Sequence, residues 1–330
     1  MTKRATAEDV ARSAGVSKWT VIRAFTPGAS IAEKSRAKVL KAAEDLNYRP
    51  NLLARSLATN LTHQVAIMVD DFKNPHKLPV LEILTWQLQS EGLLAVLINI
   101  NERFDHVQAL LDAGQRQVDA IILFGTAFRP EMLEDDRLQG GAPLYVLARD
   151  SQILDVPAIT CDTPRAMREL CEYFHSKGYR RPAFLSGPKT LSTALGRRRA
   201  FNAFWEAHDS EPALDLSASS YSSEDGFGAA RVFFQVTPRE QWPDLLMCEN
   251  DALAFGAIDY VRSTLKLRIP ADIAIAGFDN TPLSASPAYD LTTYEQPANE
   301  MVAAILSMIL GRESRESKAF KGKLVARSSA

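Results

Sequence analysis

Two patterns of apolar and polar positions divide this chain. Through the first sixty residues the apolar side chains are sparse and often three or four apart: Val10, Ala14, Val16 and Val21, then Val39, Leu40, Ala43 and Leu46. That spacing predicts short amphipathic helices. From Val65 onward short apolar runs recur, at 65–69, 93–98, 120–123, 144–147, 183–185, 245–248 and 273–276. Helical periodicity fills most of the gaps, at 80–89, 107–113, 164–177, 198–208, 224–234 and 252–265. Strand–helix alternation predicts mostly parallel sheets covered on both faces, and so many strands suit two α/β lobes rather than one.

The opening carries more specific signals. Residues 6–26 read as two short helices joined by a tight turn at Gly15, the sequence form of a helix-turn-helix whose second helix fits the DNA major groove. Thr6, with Asp9 three residues on, is predicted to cap the first helix, and Ser17 the second, because short side-chain oxygens satisfy the unpaired N–H groups of a first turn. Ser30 and Glu33 have the same box spacing and predict the start of a third helix, ended by Asn47-Tyr48-Arg49-Pro50. Residues 51–58 follow that proline and are too few to hold a helix alone. Residues 59–63 read as a polar linker.

Charge sharpens the division. The chain has 330 residues and a net charge of -2, yet residues 1–60 hold eleven basic against five acidic residues, a balance of +6 that leaves −8 for the rest. A basic head on an acidic body predicts a small DNA-facing module joined to a body that does not touch DNA. The three cysteines, Cys161, Cys171 and Cys248, are scattered and odd in number, as expected of buried thiols in a reducing compartment. With no apolar run of membrane-spanning length and no signal-peptide core, the expectation is a cytoplasmic protein. No cofactor or metal site is predicted: the histidines are isolated, the P-loop pattern is absent at Gly187-Pro-Lys-Thr, and no catalytic triad or acid pair follows from spacing.

Several motifs then fall in one order. They are D-V-A-R-S-A-G-V-S-K-W-T-V-I-R-A-F near the start, Y-R-P-N-L-L-A-R-S-L-A from Tyr48, and N-P at 74–75. V-D-A-I-I-L at 118–123, K-G-Y-R-R-P-A-F-L-S-G-P at 177–188 and E-N-D-A-L-A-F-G-A at 249–257 follow. I-P-A-D-I-A-I-A-G-F-D-N at 269–280, L-T-T-Y-E-Q-P at 291–297 and a closing L-V-A-R-S-S complete the set. Across essentially its whole length the chain resembles the lactose-repressor (LacI/GalR) family of bacterial transcription regulators. The resemblance implies an α/β protein with an N-terminal all-α helix-turn-helix head at 1–50 and a hinge helix and linker at 51–63. A two-lobed, periplasmic-binding-protein-like core of doubly wound parallel sheets would follow. Its N-terminal lobe would take 64–161 and 291–320, its C-terminal lobe 162–290 and 321–330, with crossings near Asp162, Asp290 and Lys321. A homodimer on near-palindromic operator DNA is implied, with an effector held between the lobes.

The resemblance also assigns residues. Lys18, Trp19, Thr20 and Arg23 would read bases, Arg23 through a bidentate pair with guanine. Trp19 has an alternative as a core residue against the third helix. Thr6 belongs to the same DNA-facing set, while Ser17, Asn51, Lys34 and Arg36 would hold phosphates. In the hinge, Leu57 would wedge between base pairs from the minor groove, with Ala54 allowing close approach and Arg55 adding charge; the alternative is a dimer-packing leucine. The effector cleft would be lined by Asp71, His76, Lys77, Arg149, Arg197, Tyr221, Asn250, Asp251, Asp279 and Gln296. Two departures stand out: His76 and Lys77 occupy places where aromatic residues are common, and Ala148 replaces an aspartate. Both shift the expected cleft toward positive charge and toward an anionic ligand, a sugar acid or sugar phosphate, with a neutral sugar, a nucleobase or no ligand as the alternatives. Competing readings are a transport solute-binding protein, a sugar enzyme with an added DNA-binding head, and an architectural DNA binder with a disused cleft.

Overall fold

The computed structural model describes residues 5–26, 28–50, 56, 61–100, 105–125, 140–149, 156–188, 196–208 and 213–330. It divides into two compact units, residues 1–62 and 63–330.

The first unit is built on three helices, α1 (Ala7–Ala14), α2 (Lys18–Ala24) and α3 (Glu33–Asp45). Both expected caps form. Thr6 and Asp9 make a reciprocal capping box, and the Ser17 hydroxyl accepts from the Thr20 N–H. Gly15 closes α1 at φ +66°, the left-handed conformation that costs glycine least. Val10, Val21, Val39, Ala42 and Ala43 form a small buried core, with Ala14 and Val16 packed against it.

Two expectations for α3 are corrected. Its cap position is Ala32, with no side-chain cap, so the Ser30/Glu33 box does not form. Leu40 and Leu46 face solvent, and Ala42 takes the inner position beside Val39 and Ala43. The hinge candidates Asn51, Ala54, Arg55 and Leu57 lie outside the described residues.

The second unit contains two parallel sheets. The first uses β1 (Gln64–Val69), β2 (Leu94–Asn99), β3 (Ala120–Phe124), β4 (Leu144–Leu147), β5 (Ala158–Cys161) and β11 (Lys318–Phe320). Their order is β11-β5-β4-β3-β1-β2, with every neighbouring pair parallel. Helices α4 (Lys77–Ser90) and α10 (Ala298–Ile309) pack on one face through Val80, Leu84, Leu88, Val302 and Ile305. Helix α5 (His106–Gln115) covers the other through Ala109, Leu110 and Ala113. Central strands such as β1 and β3 are therefore buried almost end to end, which is why they read as unbroken apolar runs.

The second sheet has the order β7-β6-β8-β9, formed by Leu214–Ser217, Pro182–Ser186, Leu245–Cys248 and Ala274–Ala276 respectively. Helices α6 (Thr163–Ser176) and α7 (Gly196–Glu206) bury Phe174, Phe201 and Trp205 on one face. Helices α8 (Ser223–Val236) and α9 (Asp251–Ser263) bury Phe234, Phe255 and Tyr260 on the other.

One crossing is displaced from its expected place. The chain does not return to the first lobe at Asp290. Leu291 and Tyr294 still pack in the second-lobe clusters, and Thr292 and Glu295 bridge Ala276 and Asp279. Strand β10 (Thr293–Glu295) then pairs antiparallel with β12 (Lys323–Val325). The return comes after Gln296, when α10 joins the first core.

Candidate functional site

The head places its charged and aromatic residues outward. Trp19 is 72% exposed, which removes the core-packing alternative. Lys18 and Arg23 are also exposed on α2, with Lys18 Nζ 3.3 Å from Glu8 Oε1. Thr20 is half-buried beside the Ser17 cap, and the Thr6 hydroxyl is taken by Asp9 at 2.7 Å. Arg36 differs from expectation. Its guanidinium donates to the Ala24 and Ala29 carbonyls at 3.2 Å each, so it ties the loop between α2 and α3 to the helix behind it instead of reaching outward. Lys34 is exposed.

In the core, parallel strands from both lobes end at a common cleft, where an open α/β sheet places its ligands. The space enclosed between them is about 90 Å³. The first lobe contributes Asp71, His76, Lys77, Phe124 and Arg149; the second contributes Arg197, Tyr221, Glu249, Asn250 and Asp279; Gln296 lies at the crossing. Nine of the ten residues anticipated here are therefore brought together. Three loop residues around the cleft, Asp71, Ala148 and Asp279, hold positive φ without being glycine, at 48°, 63° and 121°. Such conformations cost energy and concentrate at ligand sites.

Asp251 is the exception. It is fully buried at the start of α9 and accepts from Thr281 N, Thr281 Oγ1, Ser284 Oγ and Thr293 Oγ1, at 2.5–3.1 Å. Four protein donors occupy its oxygens, so it anchors the loop and strand that follow β9 instead of lining the cleft.

The expected gain of positive charge is also not found. Lys77 Nζ lies 3.4 Å from Asp70 Oδ1, donates to the Phe124 carbonyl at 3.1 Å and sits 4.2 Å from that ring's centroid. Its charge is matched by a carboxylate that sequence reasoning passed over. Burial, helped by Lys77 and Arg197, pushes the His76 imidazole down to about 3, so it is neutral and its 4.0 Å approach to Asp279 is a dipolar contact. Burial lowers Arg149 to about 10, which leaves it charged at neutral pH, and raises Asp71 to about 6. Asp279 is raised by burial, against the pull of Arg197 and of Gln296 Nε2, which donates to it at 2.7 Å.

Glu249 was not anticipated. It is 1% exposed at the end of β8; its Oε2 accepts from Gly187 N at 2.6 Å and Tyr221 Oη at 3.2 Å. A Cβ at Gly187 would overlap the Tyr221 ring, so this cradle requires glycine there. Burial raises the Glu249 carboxyl, opposed by Arg197, whose Nη1 donates to the Glu249 carbonyl at 2.6 Å and whose guanidinium stacks 3.7 Å from the Phe278 centroid. Asn250 caps α9, its Oδ1 accepting from Leu253 N at 3.0 Å. Glu249 Oε1, Asn250 Nδ2 and Gln296 Oε1 are buried without a hydrogen-bond partner among the described residues. Glu249 and Phe124 could have been found in sequence as the residues that end or directly follow an apolar strand run.

Residues 6–51 match the lacI family of bacterial regulatory proteins, and residues 171–330 match the periplasmic binding protein-like domain. The chain belongs to the lacI family. It is 27% identical over 325 residues to the HTH-type transcriptional repressor PurR of Proteus mirabilis (strain HI4320), covering 93% of this chain and 90% of that one. It is 29% identical over 314 residues to the PurR repressor of Photorhabdus laumondii subsp. laumondii, with the same coverage. Its fold superposes on the lac repressor dimer bound to operator and the anti-inducer ONPF with a TM-score of 0.84, at 22% identity and 99% coverage of both chains. The CelR–cellobiose complex superposes at a TM-score of 0.70, with 21% identity, over 99% of this chain and all of that one. As a lacI-family member the chain is a DNA-binding transcription regulator with a ligand-binding core. No described helix is long and apolar enough to cross a membrane.

Proposed function

We propose that this regulator is a cytoplasmic homodimeric repressor whose operator affinity is set by a small, uncharged polyhydroxylated effector, a sugar or close analogue, bound in the cleft. The observation that carries this reading is the mixed set of buried, unpartnered atoms there: two acceptors, Glu249 Oε1 and Gln296 Oε1, and one donor, Asn250 Nδ2. A hydroxyl both donates and accepts, so a ligand bearing several can satisfy such a set without bringing a net charge. The charged residues around the cleft are of both signs, which again favours a neutral ligand. Sugar-bound relatives of the fold, in complexes with cellobiose and with lactose, are consistent with it.

Because the cleft draws on both lobes, a ligand that bridges them would bias their closure. Coupling to DNA would be reciprocal: operator would alter effector affinity by the same factor. The protein acts by binding rather than by catalysis.

The test is selection of bound DNA from a random pool, with and without cellobiose, lactose, glucose and galactose. The expected result is a near-palindromic site with fixed half-site spacing whose occupancy changes with at least one of these sugars. An enriched site indifferent to every neutral sugar would overturn the effector reading. Failure to enrich a palindrome would overturn the dimeric operator reading.

A further inference from the structure

We propose that Glu249 is the specificity-determining residue of the cleft: its Oε1 accepts a hydrogen bond from a ligand hydroxyl or ammonium group and turns anionic ligands away. This rests on the reading of the cleft as the effector site. The two oxygens of the carboxyl have different fates. Oε2 is held by Gly187 N and Tyr221 Oη, which fixes the plane and reach of the group. Oε1 is buried, in a residue that lines the cleft, and has no partner among the described residues.

A buried carboxylate oxygen left unpaired is costly, and folded proteins rarely keep one without use. A purely structural acceptor for Gly187 and Tyr221 would not need the second oxygen; a glutamine would serve equally well. What the carboxylate adds is a second acceptor, buried and unpartnered, on a residue that lines the cleft beside Tyr221. The next residue, Asn250, presents an unpartnered donor, Nδ2. Consecutive residues at one strand end, both lining the cleft, thus offer an unpartnered acceptor and an unpartnered donor. A ligand carboxylate or phosphate at the Glu249 position would place two acceptors against each other in a buried setting, where repulsion is strong.

The experiment compares the full-length protein with Glu249→Gln by thermal shift and calorimetry against glucose, cellobiose, lactose, glucosamine, gluconate and glucose 6-phosphate. Glutamine keeps an acceptor for Gly187 and Tyr221 and replaces the unpartnered acceptor with an N–H donor. The melting temperature of the ligand-free variant is therefore expected to stay equal to that of the parent or to rise. The parent is expected to bind neutral or amino sugars and no anionic member. In the variant, affinity for those ligands falls about 10–100-fold, the worth of a hydrogen bond to a charged group, and binding of gluconate or glucose 6-phosphate appears. An identical binding profile in the two proteins, or anion binding by the parent, overturns the assignment of Glu249 while leaving the cleft as the effector site. Absence of binding in both proteins overturns the cleft reading and the assignment with it.

Discussion

Lys77 and Asp70 face each other across 3.4 Å beside the cleft, each about 5% exposed. Neither charge can reach bulk water, and burial drags the lysine's proton affinity down while the aspartate restores it. Removing Asp70 takes from the buried ammonium its nearest carboxylate. Asp70→Asn should destabilise the core by about 3–5 kcal/mol, less whatever the ammonium recovers by losing its proton. Adding Lys77→Met should return part of that loss. Denaturant unfolding of both variants checks this, and an Asp70→Asn protein as stable as the parent would contradict the pairing.

Asp71 gives the core a pH signature. Its carboxyl is raised from 3.8 to about 6, chiefly by burial. The native state therefore holds this proton more tightly than the unfolded chain, so the stabilisation from Asp71 is complete below pH 3.8 and is lost as pH rises through about 6. Asp71→Asn removes the titration. Relative to the parent, its melting temperature should climb between pH 4 and 6 and then run parallel. A constant offset across that range would mean that Asp71 is solvated like any surface acid.

In the head, exposure separates the candidate DNA contacts from the supports. Trp19→Ala should leave the melting temperature unchanged and weaken the preferred DNA site about tenfold, with random DNA unaffected. Lys34→Ala should lower the salt dependence of binding by about one unit. Arg36→Ala should instead lower the stability of the head, because it breaks the hydrogen bonds to the Ala24 and Ala29 carbonyls. Salt titrations of DNA binding and thermal melts distinguish the three.

Leu78 and Trp86 on α4 and Leu94 and Leu97 on the edge strand β2 are all more than half exposed. An unpaired strand edge beside exposed large apolar residues is a surface that association would cover. Trp86→Glu or Leu97→Asp should shift the protein from dimer to monomer in sedimentation velocity and weaken operator binding. A variant that remains dimeric would place the interface elsewhere.

The fold was readable where burial is two-sided. β1, β3 and β8 lie inside their sheets, so every position is apolar and the run announces itself. The edge strand β7 and the crossing strands β10 and β12 gave no such signal. β7 exposes three of its four residues, and β10 and β12 are three-residue pieces with Thr293, Glu295 and Lys323 among them. Helix α10 was passed over because its apolar residues wrap most of its circumference, which blurs the period; it is buried beneath the first sheet. The cleft was largely legible through family resemblance, but its charge was not. Lys77 read as a gain of positive charge because nothing in sequence shows that Asp70, seven residues earlier, turns to meet it.

Ala148 holds a left-handed φ of 63° at the cleft, a conformation that aspartate and asparagine tolerate better than alanine does. Exchanging this one methyl for a carboxylate would thus relieve the backbone rather than burden it. A cleft of different charge lies one codon away, with its loops left as they are.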